Sequence, residues 1–227
     1  MLHKTEGIVL NYIKYKDTSI ISKIYTRHFG LQSYIVNGVR SQKAKFKIAL
    51  FQPLTLLEMV VYYKKNANLN RLAELKCPHP QKSIALDIKK SSIAIFIGEM
   101  LYKLLKEETS EEALFSYLWH SIQELENQEK GFSNFHLQFL LKLARFLGFQ
   151  PSSGADIFRQ IGGPDDSLVA KEIEDLTYLI NHDFQHSLSL SAKNRSHLLQ
   201  VILKYYHYHI DALGEIRSIQ VLKEVLG

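Results

Sequence analysis

Five short runs of β-branched and aromatic residues follow one another in the first 75 residues, and this pattern constrains the fold more than any other feature. The runs cover residues 7–14, 19–26, 31–36, 54–63 and 68–75. Such residues favour half-buried strands, and the breaks between runs carry turn residues such as Lys16-Asp17-Thr18. Short antiparallel strands would expose several edges unless they closed on themselves. The sequence therefore predicts a small five-stranded β-barrel.

The connection between the third and fourth runs is longer than the others and strongly basic. Arg40, Lys43, Lys45 and Lys47 fall within it without an intervening acid. A short apolar segment at residues 48–51 follows, just before Pro53. Oligonucleotide-binding (OB) folds often carry a helical segment between their third and fourth strands, so this connection favours an OB-fold barrel.

From residue 83 onward the apolar residues follow the period of helices. The pattern predicts helices beginning near residues 84 and 110 and covering residues 133–147, 168–181, 191–210 and 218–226. Residues 151–167 are rich in Gly, Ser and Pro and are expected to form a loop-rich insertion. The predicted fold class is α+β, with an OB-fold barrel over residues 1–80 and an α-helical domain over residues 81–227.

The charge of the chain is unevenly distributed between these two parts. Residues 1–80 contain thirteen Lys and Arg against four acids, a net charge of +9. The remaining residues contain fifteen basic and nineteen acidic side chains, a net charge of −4. This asymmetry favours an anionic partner for the first 80 residues over a merely solvated basic face.

Basic and aromatic residues are interleaved on the predicted barrel in a way that suits single-stranded nucleic acid. Lys and Arg contact phosphates, while unpaired bases stack on aromatic rings. The predicted phosphate contacts are Lys14, Lys16, Lys23, Arg27, Arg40, Lys43, Lys45 and Lys47. The predicted stacking residues are Tyr12, Tyr25 and Phe46, although any one of these rings can equally be a core residue. An RNA-binding barrel and a nuclease with an unrecognised site remain alternatives.

We expect no catalytic residues, no cofactor and no metal. The single cysteine, Cys77, excludes an internal disulfide and a multi-cysteine zinc site. His182 and His186 have the spacing of a helical metal pair, but Asp183 stands where that motif needs Glu. No phosphate-binding glycine loop is present, no apolar run reaches the roughly 20 residues of a membrane span, and no secretory signal begins the chain, so a cytoplasmic location is expected.

Several motifs together resemble the RecO family of bacterial recombination mediators. In the barrel region they are Thr5-Glu6-Gly7-Ile8-Val9-Leu10, Tyr15-Lys16-Asp17-Thr18-Ser19, Tyr25-Thr26-Arg27-His28-Phe29-Gly30 and Asn37-Gly38-Val39-Arg40. Near the end, Leu213-Gly214-Glu215-Ile216-Arg217-Ser218 is similar to the closing helices of the family. The resemblance covers essentially the full chain.

The resemblance implies an OB-fold barrel with a helical domain and a non-enzymatic role in RecF-pathway DNA repair. Such proteins bind single- and double-stranded DNA and anneal complementary strands, acting at the nucleoid during repair. With RecR they help load RecA onto DNA coated with single-strand-binding protein, and they contact the acidic, apolar-tipped C-terminal tail of that protein. Some relatives carry a four-cysteine zinc module, whereas residues 151–167 contain no cysteine. We therefore expect no zinc module here.

The helical domain offers two candidate basic rims for such an acidic tail. One consists of Lys142 and Arg145 on the third predicted helix, and the other of Lys193, Arg195 and Lys204 on the helix over residues 191–210. Either set can also be ordinary solvated charge.

Overall fold

The five N-terminal strands close into a barrel, as the sequence pattern predicts. The computed structural model describes residues 1–42, 44–65, 67–105, 110–164 and 166–226, so the predicted phosphate contact Lys43 lies outside the described residues. The strands are β1 (Leu2–Tyr15), β2 (Ser19–Thr26), β3 (Gly30–Val36), β4 (Leu56–Tyr62) and β5 (Asn70–Lys76). Their order around the barrel is β1-β2-β3-β5-β4.

Strand β1 is long enough to pair on both of its edges. Residues 2–8 pair with β4 and residues 7–15 pair with β2, both antiparallel. Strand β3 then pairs in parallel with β5, which closes the barrel in the arrangement of an OB fold. The predicted apolar segment is a 3-10 helix, Ile48–Phe51, whose Phe51 ring is fully buried in the barrel core.

The described chain divides into two compact units. The first contains Met1–Leu86 and Ala94–Gln123, and the second contains Asp87–Ile93 and Glu124–Gly227. The first unit therefore includes helices as well as the barrel, whereas the sequence placed the boundary at residue 80. The α+β fold class, an OB-like barrel followed by helices, is confirmed.

Helical segments of the first unit pack directly on the outer face of the barrel. Helices α1 (Ser83–Leu86), α2 (Ile88–Leu104) and α3 (Glu112–Asn127) follow the barrel in the chain. A Cβ atom built on Gly98 of α2 would lie 2.8 Å from the carbonyl oxygen of Leu10 on β1. This contact leaves no room for a side chain, so glycine permits the close approach of helix and strand.

Among its described residues, the second unit contains five further helices besides the parts of α2 and α3 that belong to it. They are α4 (Phe135–Leu143), α5 (Gly154–Gln160), α6 (Ala170–Asn181), α7 (Ala192–His209) and α8 (Ile219–Leu226), with 3-10 segments at Phe132–Asn134 and Asp166–Leu168. Ser191 caps α7, since its side-chain oxygen accepts a hydrogen bond from the main-chain N–H of Asn194. In the described part of the chain, no helix is long and apolar enough to cross a bilayer.

Part of the segment expected to be a loop is helical. Helix α5 lies inside residues 151–167, and Ser153 caps it by accepting a hydrogen bond from the N–H of Asp156 at 3.2 Å. A Cβ atom on Gly154 would lie 2.4 Å from the carbonyl oxygen of Ile173 on α6. Gly154 therefore serves close helix packing, where the sequence pattern indicated a chain break.

Candidate nucleic-acid interface

Arg40 fastens the basic β3–β4 connection to the turn between β1 and β2. Its main-chain N–H donates to the carbonyl oxygen of Thr18 at 3.0 Å. Its Nη2 donates to the carbonyl oxygen of Lys16 at 2.7 Å and also to that of Asp17. The turn and the connection therefore form one continuous surface, and Arg40 positions the segment that carries Lys16.

Two aromatic rings lie half-buried beside this junction. Tyr12 of β1 and Phe46 of the connection both pack against the buried cluster of Ile20, Val36, Val39 and Phe51. The Lys45 ammonium lies 5.1 Å from the centre of the Phe46 ring and donates to the carbonyl oxygen of Ala73 at 2.9 Å. Both rings are thus partly exposed, and Phe46 has a positive charge beside it.

Among the described residues, four lysines at this end of the barrel have exposed side chains. The Lys16 ammonium lies 5.5 Å from the centre of the Tyr15 ring, and Lys14 shares a strand face with Tyr12. We call this surface the basic end, defined by Lys14, Lys16, Lys45 and Lys47 with Arg40, Tyr12 and Phe46. It brings together seven of the eleven residues that the sequence proposed for nucleic-acid contact.

The strand register separates Lys23 from the basic end. Asn11 pairs with Lys23, whereas Tyr12 pairs with Ser22, which is fully buried inside the barrel. Opposed residues of antiparallel strands point to the same face. Tyr12 and Lys14 therefore follow the inner face of the sheet and Lys23 the outer face, so the predicted residues do not form a single surface.

Tyr25 does not offer a ring for base stacking, and that prediction is wrong. Its side chain is 1% exposed. Its ring lies 6.0 Å from that of Phe115 on α3, centre to centre. Helix α3 covers this part of the outer barrel face. The alternation of residues along the strand does not predict this cover.

Arg27 is engaged in holding α3 on the barrel. Its guanidinium forms ion pairs with Glu6 of β1 and Glu112 of α3. The same group lies 4.6 Å from the centre of the Phe115 ring. Two carboxylates neutralise this charge, so the structure corrects its prediction as a phosphate contact.

A second aromatic pair lies on the barrel and was not predicted from the sequence. The rings of Phe29 and Tyr63 stack with centres 4.0 Å apart and planes 17° apart. Lys64 and Lys65 follow Tyr63 directly and are exposed. The run Tyr62-Tyr63-Lys64-Lys65 combines aromatic and basic residues and is visible in the sequence. The stacking of Tyr63 on Phe29, 34 residues earlier, depends on the tertiary structure and is not visible there.

A cleft formed by β1, β4 and β5 does not suit a polyanion. It is lined by Lys4, Glu6, His28, Glu58, Glu74 and Lys76 together with apolar side chains. Three carboxylates against two lysines would repel phosphates. The cleft is thus separate in chemistry from the basic end.

The candidate partner residues of the second unit have different environments. Arg195 is used internally, since its guanidinium donates to Asn134 Oδ1 and to the carbonyl oxygens of Leu190 and Leu226 at 2.7–3.0 Å. Burial lowers the pKa of Lys142, and Asp183 opposes that shift. The exposed members are Arg145, Lys193 and Lys204. Arg195 is therefore removed from the candidate partner residues, because its hydrogen bonds stabilise the fold.

No metal-binding arrangement is present in the described part of the chain, where no group of three or more His, Cys, Asp or Glu side chains converges. Nδ1 of His182 lies 2.9 Å from the carbonyl oxygen of Tyr178. His186 forms a 2.6 Å contact between Nδ1 and Asp183 Oδ1. Both histidines are thus engaged with their own local segment.

Comparison with known proteins identifies the family of the chain. Residues 1–80 match the family described as Recombination protein O N terminal, and residues 85–157 match Recombination protein O C terminal. The DNA repair protein RecO of Phocaeicola vulgatus is 37% identical over 100% of both chains. Those of Bacteroides fragilis and Flavobacterium psychrophilum are 38% and 37% identical over 99% of both chains. The chain therefore belongs to the recombination protein O (RecO) family and has its role in DNA repair.

Proposed function

We propose that this protein is a non-enzymatic recombination mediator that binds single- and double-stranded DNA and anneals complementary strands. The observation that carries the proposal is the basic end, where Arg40 holds a basic turn and a basic connection together beside two half-buried rings. Lysines there can bind phosphates of either kind of DNA, while the rings of Tyr12 and Phe46 suit unpaired bases.

Annealing requires that two polyanions approach each other. Cations that neutralise phosphates on both strands lower their mutual repulsion and release condensed counterions. The lysines of the basic end supply such cations, in a region whose net charge over residues 1–80 is +9. We therefore propose that the barrel promotes pairing by charge screening, without making or breaking a covalent bond.

The partners follow from membership of the family and remain part of the proposal. We propose that the protein acts in the cytoplasm, on nucleoid DNA, with RecR and on DNA coated with single-strand-binding protein, where it helps load RecA. The acidic tail of single-strand-binding protein would bind the second unit beside exposed cations such as Arg145, Lys193 or Lys204. Arg195 is not included, because its donors are used within the unit.

The decisive experiment is annealing of complementary strands that have been coated with single-strand-binding protein. The test variant is Lys45→Ala/Lys47→Ala in the basic end. The matched control is Lys4→Ala/Lys76→Ala, which removes the same charge from exposed side chains of the acidic cleft. We expect the test variant to anneal more slowly and to bind DNA with a weaker salt dependence, by about 0.7 in the logarithmic slope per lost phosphate contact on a single strand.

Two results would contradict the proposal. Equal annealing by the test and control variants would remove the basic end from the function. Cleavage of labelled DNA in the presence of magnesium or manganese would make the protein a nuclease. The same oligonucleotides in RNA form distinguish an RNA-binding barrel, which would use the 2′-hydroxyl and bind RNA more tightly.

A further inference from the structure

We infer that the stacked Phe29–Tyr63 pair is a second single-strand contact on the barrel, a platform on which one unpaired nucleobase stacks. The inference rests on the proposed function, because it presumes that the barrel binds DNA. It adds a site distinct from the basic end. The basic end would bind phosphates of any DNA and stack unpaired bases on Tyr12 and Phe46, whereas the platform would add a further stacking position that only an unpaired base can occupy.

The geometry of the pair is that of a preformed stacking surface. The rings are 4.0 Å apart and nearly parallel, and both are only partly buried. His3 meets them edge-on, at 5.5 Å from Phe29 and 6.1 Å from Tyr63. The inner side of the pair packs against the buried cluster that includes Leu57 and Val61. A base can therefore extend the stack on its exposed side.

Buried side-chain amides hold the two ring-bearing segments together. The main-chain N–H of Lys64 donates to Asn70 Oδ1 at 3.3 Å, and Asn70 Nδ2 donates to Gln32 Oε1 at 3.0 Å. Gln32 Nε2 in turn donates to the carbonyl oxygen of Phe29 at 2.7 Å. Asn70 and Gln32 are 2% and 7% exposed. This chain links the segment after Tyr63 to the β2–β3 turn, so the platform is ordered before a ligand arrives.

The charges around the platform favour a nucleotide over an apolar peptide side chain. Residues 59–73 contain Lys64, Lys65 and Arg71 and no acid. All three basic side chains are exposed. A nucleotide within a strand has a phosphate on each side of its sugar. Exposed cations that flank the platform can bind these two phosphates while the base stacks on the rings.

The platform and the basic end share one barrel strand. Leu72 and Leu75 of β5 pack against the cluster beneath Phe29 and Tyr63 and also against the cluster beneath Tyr12 and Phe46. Two aromatic contacts on one core fit a single strand held at more than one point. Double-stranded DNA would engage only the phosphate contacts, since its bases are already stacked on one another.

The experiment compares binding to an oligo(dT) and to an abasic oligonucleotide of the same length, which keeps the phosphates and lacks the bases. We expect the native protein to prefer oligo(dT). Phe29→Leu and Tyr63→Leu keep an apolar side chain but remove the π-face. Each should reduce that preference by about tenfold, the loss expected for one base–aromatic stack, while affinity for the abasic strand and for duplex DNA is unchanged.

An unchanged preference in a folded Phe29→Leu variant would overturn the inference. Phe29→Trp covers the case in which leucine disturbs the fold, since its indole fluorescence should be quenched by oligo(dT) and not by the abasic strand. Absence of that quenching would also overturn it. Failure of the proposed function is separately visible, because then the native protein would not bind either oligonucleotide, or Lys45→Ala/Lys47→Ala would bind both like the native protein.

Discussion

The guanidinium of Arg195 donates a hydrogen bond to the carbonyl oxygen of Leu226 at 2.7 Å, which ties helix α7 to the end of helix α8. The same group also donates to Asn134 and Leu190, so one side chain joins three segments of the second unit. Burial lowers the pKa of Arg195. Arg195 therefore stabilises the folded second unit.

Arg195→Met should destabilise the second unit while leaving DNA binding unchanged. The substitution keeps an apolar stem but leaves three acceptors without their donor, and each such loss costs about 1 kcal/mol or more. We expect the free energy of unfolding, measured by urea denaturation, to fall by about 2–4 kcal/mol. The exposed neighbour Lys193→Met should change it by less than about 0.5 kcal/mol. Equal effects of the two substitutions would contradict the assignment.

His136 should make the stability of the second unit depend on pH. Burial, with a smaller effect from Arg195, lowers the pKa of His136 to about 3. The unfolded chain has the ordinary value near 6.5, so it binds a proton that the folded protein does not take up. This stability is present above pH 6.5 and is lost as the pH falls towards 3.

His136→Asn removes the titrating group and should flatten that dependence. Between pH 6 and 4 the native protein should lose about 1.4 kcal/mol per pH unit more than the variant, as measured by denaturation across pH. Above pH 7 the two proteins should show the same slope. Parallel stability curves below pH 6 would show that His136 is not the group responsible.

Arg40→Lys should weaken DNA binding although the charge is conserved. The carbonyl oxygens of Lys16 and Asp17 both accept from Nη2 of Arg40, and the shorter lysine side chain does not place its ammonium group at the position of that nitrogen. We expect the affinity for single-stranded DNA to fall by about three- to tenfold, which corresponds to a loss of about 1 kcal/mol in the free energy of binding. The salt slope should stay nearly constant, in contrast to Lys47→Ala. A native affinity in Arg40→Lys would show that only the charge of this residue matters.

Tyr12 and Tyr25 should respond differently to substitution. Tyr25 is buried under α3, so Tyr25→Phe should leave the affinity for single-stranded DNA unchanged within twofold. Tyr12 is partly exposed in the basic end, and Tyr12→Leu should weaken that affinity about fivefold or more. Fluorescence anisotropy with a labelled oligonucleotide measures both. A larger effect at Tyr25 than at Tyr12 would reverse the assignment of the two rings.

The strands were predictable because their signal is local. β-branched and aromatic runs separated by turn residues mark each strand, and four acids against thirteen cations mark the barrel as the basic part. The register was not predictable in the same way. The shift between Val9 and Asn11 decides that Lys23 and Tyr12 face opposite sides, and it depends on how β1 packs within the closed barrel.

Tertiary packing accounts for the other differences. Tyr25 and Arg27 are residue types that are common on binding surfaces. Helix α3 nevertheless covers them, although it lies about 90 residues later in the chain. Gly154 is a residue type that predicts a loop, yet it lies in α5 and permits this helix to approach α6. The Phe29–Tyr63 stack joins two turns that no local pattern connects. In each case the deciding partner is distant in sequence.

The double pairing of β1 has a consequence for synthesis on the ribosome. Residues 2–8 emerge before their partner β4, which ends at Tyr62, and the barrel closes only when β5 has formed. Until β4 has formed, the first strand presents an unpaired edge to other nascent chains, and until β5 has formed, β3 and β4 do so, which is a route to aggregation. Truncated products ending before β5 should therefore be aggregation-prone and depend on chaperones, whereas chains that extend past Lys76 can bury these edges within themselves.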